Sequence, residues 1–169
     1  DQGTPFRGFL YAGLMITKAG IKVLEYNVRL GDPETQPILH RLRSDLVPVL
    51  VKVADGEEVA PKALEWDPRP SVCVVLASSG YPRTARIGVP IPRLEEGERW
   101  PDVTIFHAAT TRDPKERVLT AGGRVLGVTA RGSDYAEAAQ RAYEAVDAVR
   151  FEGAQVRSDI AHRALEERR

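Results

Sequence analysis

The chain has 169 residues, enough for one sizeable core or two small ones. Lys plus Arg and Asp plus Glu both total 24, so no net charge draws it to nucleic acid or to an acidic membrane. The single cysteine, Cys73, excludes an internal disulfide framework, and no apolar stretch nears the roughly 20 residues of a membrane helix. A soluble, cytoplasmic protein is expected, with neither nucleic acid nor membrane as partner.

Taken in chain order, residues 8–16 (GFLYAGLMI) and 21–29 (IKVLEYNVR) are apolar runs rich in β-formers. The short TKAG segment between them predicts an antiparallel hairpin. Apolar positions at near-helical spacing follow over 34–54, and Pro48 divides this stretch into two helical pieces. Residues 54–70 are rich in charge and breakers and form a connection. Strands are predicted over 71–78, 85–91, 103–110, 116–121 and 124–131, the last two joined as a hairpin through Gly122-Gly123. Ser133-Asp134 with Glu137 has the form of a capping box for a helix from 135 to about 150. Tyr135, Ala139, Ala142, Tyr143, Val146 and Val149 would make its buried stripe. A last short helix covers 158–167. Cys73, inside VCVVLA, reads first as a small buried hydrophobe. The class is α+β.

The stretch VLEYNVRLGDPETQ, residues 23–36, carries the chemistry. Strand side chains alternate, so Glu25, Asn27 and Arg29 would share one face. A carboxylate and a carboxamide oxygen two residues apart can hold one hard cation such as Mg²⁺ (or Mn²⁺), whose shell is completed by water and substrate phosphates. The Arg29 fork suits a carboxylate or phosphate. Gly31-Asp32-Pro33-Glu34-Thr35 then turns into a helix start, a place receptive to anions. The same residues also suit a solvated strand face and a simple helix cap, and both readings stay open on pattern alone. His40, His107 and His162 are far apart in sequence and are expected to be structural.

This stretch closely resembles the conserved segment of the phosphoribosylamine–glycine ligase family of ATP-grasp enzymes. PFRGFLYAGLMI before it, then LRSDLV, GYP, IFHA, GGRVLGVTA, RAYEAV and DIAHRA, resemble family segments in the family's order, so the likeness spans the chain. The resemblance implies the C-terminal part of an ATP-grasp domain over 1–55, followed by a small antiparallel-sheet domain with packed helices over 56–169. It implies metal ligands at Glu25 and Asn27 and an ATP contact at Met15. Arg29, Gly31, Asp32, Pro33 and Glu34 would receive the acceptor, with Arg29 and Asp32 catalytic. The implied reaction uses ATP to join glycine to 5-phosphoribosylamine through glycyl phosphate, in de novo purine biosynthesis. The N-terminal part of the same enzyme would be needed as partner for turnover. Two other readings are a non-catalytic interaction module on this fold and a different ATP-grasp ligase.

Some positions depart from the family pattern. Leu30 stands for Phe, and Ser79, Ala109 and Ala161 stand where glycine is usual. An added Cβ is costly wherever φ is positive. Gly13 stands where many ATP-grasp enzymes place an acidic ligand.

Overall fold

The computed structural model describes residues 3–94 and 100–166. The chain forms two compact units, Asp1–Thr35 with Leu42–Asp67, and Gln36–Arg41 with Pro68–Arg169.

In the first unit, β1 (Tyr11–Thr17) and β2 (Gly20–Asn27) form an antiparallel hairpin. Its loop is only Lys18-Ala19, closed by Thr17 Oγ1 donating to the Gly20 carbonyl at 2.8 Å. Strand β2 stops at Asn27, and residues 28–29 bend, so Arg29 lies beyond the ladder. The register slips between Gly13 and Leu14: Gly13 pairs with Glu25 while Leu14 pairs with Val23, leaving Leu24 as the extra residue of a bulge. Helix α1 (Thr35–His40) and helix α2 (Val47–Asp55) are the two helical pieces expected around Pro48. Proline sits in the first turn of α2, where its missing N–H breaks no helical bond. The helix ends on Gly56 at φ 75°, whose N–H closes on the carbonyls of Lys52 and Val53.

In the second unit, β3 (Ser71–Ala77), β4 (Val103–His107) and β7 (Arg124–Arg131) make an antiparallel sheet in the order β3-β7-β4. A small pair, β5 (Thr110–Arg112) and β6 (Val118–Thr120), stands apart from it. Two expectations fail here. Residues 85–91 are not a strand, because Pro90 interrupts the ladder. They instead run beside β6, where Thr120 N–H donates to the Val89 carbonyl at 2.9 Å and Ile91 N–H to the Val118 carbonyl at 2.9 Å. Gly122-Gly123 does not close a hairpin either, since β6 pairs with β5 and β7 takes the sheet centre. Those glycine carbonyls accept from Ser78, N–H to Gly123 and Oγ to Gly122, both at 2.8 Å.

Alternation puts Val72, Val74 and Leu76 of β3 with Leu126, Val128 and Ala130 of β7 on one sheet face. There they join helix α3 (Tyr135–Ala148), which buries Ala138, Ala139, Ala142, Ala145 and Val146. The buried stripe is thus shifted toward the alanines, and Tyr135 stays exposed. Asp134 caps α3 by accepting from Glu137 N–H at 2.9 Å, and Glu137 reaches back to Ser133 N–H at 2.6 Å, one residue earlier than in a standard capping box. Helix α4 (His162–Glu166) is shorter than expected, and residue 167 lies outside the described residues. Asp102 accepts from Arg69 at 2.7 and 3.0 Å, from Arg131 at 3.0 Å and from Arg141 at 3.4 Å. Of the three replaced glycines only Ala161 has positive φ, 68°. The mixed, antiparallel architecture is the α+β class expected. Among the described residues, no helix is long and apolar enough to cross a membrane.

Candidate functional site

The hairpin bulge decides which side chains meet. Tyr11 pairs with Asn27 and Gly13 with Glu25, so these four share a face, and Met15 with its partner Lys22 continues it. The opposite face carries Ala12, Leu14, Ile16, Ile21, Val23 and Tyr26 and is apolar throughout. Counted back from the loop without a bulge, Tyr11 would face Tyr26, and Met15 would lie opposite Glu25 and Asn27 in sense. The extra residue Leu24 therefore unites Met15 with the two proposed metal ligands on one surface.

Gly13 leaves room for Glu25: a Cβ there would stand 3.0 Å from Glu25 Cγ, closer than side chains normally pack. Glu25 is exposed and Asn27 half-buried, with Asn27 Nδ2 buried and lacking a hydrogen-bond partner. A hard cation would take the other amide atom of this side chain, the oxygen Oδ1, and not the buried nitrogen. Among the described residues no three His, Cys, Asp or Glu side chains cluster as a metal cage. An ion held here would take two protein oxygens and fill its shell from water or phosphate, which suits Mg²⁺ better than a structural metal.

The Gly31–Glu34 turn adjoins this face through one contact. Tyr11 donates its hydroxyl to Glu34 Oε1 at 3.3 Å. The Glu34 charge, then burial, hold the Tyr11 hydroxyl above its ordinary range; Glu25 adds to this and Arg29 opposes it. Tyr11, Glu25, Arg29 and Glu34 therefore share one electrostatic neighbourhood, in which Tyr11 remains a neutral donor at pH 7. Gly31 is buried, and the Glu34 carboxylate lies where a side chain at 31 would be. Thr35 N–H donates to the Gly31 carbonyl at 3.1 Å, and Thr35 Oγ1 bonds the same oxygen. Asp32 is exposed and Pro33 half-buried, joined by a cis peptide. Arg29 is exposed, and its Nη1 donates to the Leu30 carbonyl at 2.9 Å.

Two points differ from the sequence reading. Arg29 stands in the bend after β2 rather than on its ladder, because the strand ends at Asn27. Helix α1 has six residues, so its dipole is short and gives the turn little pull on an anion. Tyr11 escaped the sequence reading altogether, since only the bulged register sets it opposite Asn27.

Residues 71–163 match the family model described as phosphoribosylglycinamide synthetase, C domain, and residues 1–35 match the ATP-grasp (A) domain of the same synthetase. The chain belongs to the phosphoribosylglycinamide synthetase family. It is 53% identical over 163 residues to a phosphoribosylamine–glycine ligase of Rhodopirellula baltica, covering 95% of this chain and 37% of that protein. With the ligase of Leifsonia xyli the identity is 49%, covering 96% of this chain and 39% of the relative. The chain thus spans under two fifths of the length of these synthetase relatives. The crystal structure of the Thermotoga maritima phosphoribosylamine–glycine ligase matches with a TM-score of 0.80 at 38% identity, over 94% of this chain and 38% of that one.

Proposed function

We propose that the chain is the C-terminal portion of an ATP-dependent ligase that joins glycine to 5-phosphoribosylamine in de novo purine biosynthesis, and that it turns over only with its N-terminal part. The carrying observation is the single hairpin face that holds Met15, Glu25 and Asn27 beside the Tyr11–Glu34 contact. We divide the chain near residue 55, with ATP-grasp residues before it and the C domain after. Cys73 forms no disulfide, which supports a reducing, cytoplasmic setting.

In this reading Glu25 and Asn27 supply oxygens to Mg²⁺ (or Mn²⁺), which when bound offsets charge on the ATP phosphates. Met15 packs against the adenine. Arg29 grips the glycine carboxylate in a bidentate fork, and Gly31, Asp32, Pro33 and Glu34 form the seat around it. Glycine carboxylate oxygen attacks the γ-phosphorus and ADP leaves, giving glycyl phosphate. The phosphoribosylamine nitrogen then attacks the glycyl carbonyl carbon, phosphate departs, and the nitrogen loses a proton. The chain's own contribution is alignment and charge neutralisation. Arg29 and Asp32 are the charged groups assigned to the reacting ends of the acceptor.

Formation of glycinamide ribonucleotide by the full-length ligase carrying this sequence tests the reading. Glu25→Gln and Asn27→Ala are expected to lower kcat about a hundredfold, and Ala109→Gly less than about twofold. The 169-residue chain alone is expected to form no product. Equal activity in all three variants, or product from the isolated chain, would overturn it.

A further inference from the structure

Beside the small β5–β6 pair lies a cavity of about 520 Å³ that belongs wholly to the second unit and shares no residue with the β1–β2 hairpin. One wall is Pro90-Ile91-Pro92. It is anchored where Ile91 N–H donates to the Val118 carbonyl at 2.9 Å and where Pro90 bridges Leu119. Ile91 and Leu94 are each 7% exposed and join the core, so this wall is apolar and fixed. The rest of the lining is charged or polar: His107 at the end of β4, Arg112 at the end of β5, then Arg93, Glu116 and Arg117.

Three of these side chains are tethered by some of their nitrogens and keep others spare. The turn between β5 and β6 is built on Asp113, whose carboxylate accepts from Lys115 N–H and Arg117 N–H, both at 2.9 Å, and from Arg117 Nε at 2.8 Å. Glu116 completes the turn at φ 61°, and Arg112 Nη1 donates to its carbonyl at 3.0 Å. His107 Nδ1 lies 2.9 Å from Thr110 Oγ1. These bonds orient the three side chains, yet Arg112 Nη2, Arg117 Nη1 and His107 Nε2 have no partner among the described residues. Both guanidinium side chains are more than half exposed, at 63% and 60%, so a solute can reach them. Three arginines line the cavity against one carboxylate, and they still outnumber the acids when Asp113, spent on Arg117, is counted.

We propose that this cavity binds a small phosphate monoester, with the phosphate on Arg112, Arg117 and His107 and the organic body against the Pro90–Pro92 wall. A carboxylate is satisfied by a single guanidinium fork, whereas donors arriving from three separate positions suit the several oxygens of a phosphate. Charge agrees, since a monoester carries about −1.5 to −2 at pH 7 and the lining has a positive excess. Small-molecule sites span roughly 300–1,000 Å³, and this cavity has room for a nucleoside monophosphate, far more than a bare anion fills. The inference goes beyond the ligase reading and does not rest on it.

Titration of the isotope-labelled 169-residue chain with AMP, followed by backbone amide resonances, tests it. AMP is expected to bind with a Kd of about 1 mM or tighter and to shift the amides of His107, Arg112 and Arg117. Inorganic phosphate and adenosine, each offering one part of the ligand, should bind at least about tenfold more weakly. Arg112→Gln and Arg117→Gln should each weaken AMP about tenfold, and the exposed His107→Gln somewhat less. Arg150→Gln, outside the cavity, should leave the affinity within about twofold. The inference is overturned if AMP shifts only residues of the β1–β2 hairpin or binds no tighter than inorganic phosphate. It is equally overturned if folded Arg112→Gln and Arg117→Gln keep the wild-type affinity. A full-length wild-type protein without ligase activity overturns the functional reading instead and leaves this titration to judge the cavity.

Discussion

The hairpin β1–β2 and the three-stranded sheet β3-β7-β4 are similar in composition and opposite in environment. Leu14, Ile16, Ile21 and Val23 of the hairpin are as apolar as Val72, Val74, Leu126 and Val128 of the larger sheet. Yet Ile16 is 84% exposed, whereas Val74, Leu126 and Val128 are fully buried. The difference comes from layers: α3 lies across β3 and β7, while among the described residues nothing comparable covers the hairpin. Hydrophobic sequence alone therefore sets a strand's demand for cover and does not supply it. In the functional reading, the remainder of the ATP-grasp domain supplies that cover, and the polar hairpin face stays open to nucleotide and acceptor.

The contrast can be broken by mutation. Leu126→Ala removes a fully buried side chain and is expected to cost about 3–4 kcal/mol in urea unfolding of the second unit. A loss below about 1 kcal/mol would mean the sheet is not the stabilising core. Next comes Asp102. Hydrogen bonding from Arg69, against a smaller opposing effect of burial, and the charges of Arg69, Arg131 and Arg141 hold its carboxyl below the usual range. A depressed folded pKa contributes stability that is present above the unfolded value of about 4 and is lost as pH falls through the folded one. Asp102→Asn should therefore cost about 1–2 kcal/mol at pH 7 and flatten this part of the acid limb, the partly exposed arginines keeping the effect modest. An acid limb identical to that of the wild type would exclude this role.

Smaller still is Ala161→Gly, which relieves a left-handed backbone at φ 68° and should stabilise by about 0.5–1 kcal/mol. Ser79→Gly and Ala109→Gly should bring no such gain, since neither residue has positive φ. Thermal melts of the three variants distinguish them. At the bottom, Ile16→Ala in the isolated chain should change stability by less than about 0.5 kcal/mol. A larger loss would show that the exposed face is covered in solution.

Much of the fold was legible because local chemistry agreed with it. Pro48 marked the first turn of α2, Asp134 and Glu137 started α3, and the short TKAG segment closed the hairpin. What failed was decided by non-local pairing. Gly122-Gly123 has turn chemistry, yet β7 is claimed by β3 and β4 from both sides. The site followed the same division. Glu25 and Asn27 could be read as one-sided from spacing, but the Leu24 bulge that adds Met15 and Tyr11 to their face has no local signature.

The central claim is that one hairpin face holds the metal–nucleotide complex and the other does not. Mn²⁺ binding to the ATP-loaded full-length enzyme, followed by electron paramagnetic resonance of the free ion, tests it most directly. Glu25→Gln and Asn27→Ala are expected to weaken binding about tenfold or more, while Ile16→Ala on the opposite face leaves it unchanged. Wild-type affinity in Glu25→Gln, or an equal loss in Ile16→Ala, would contradict the account.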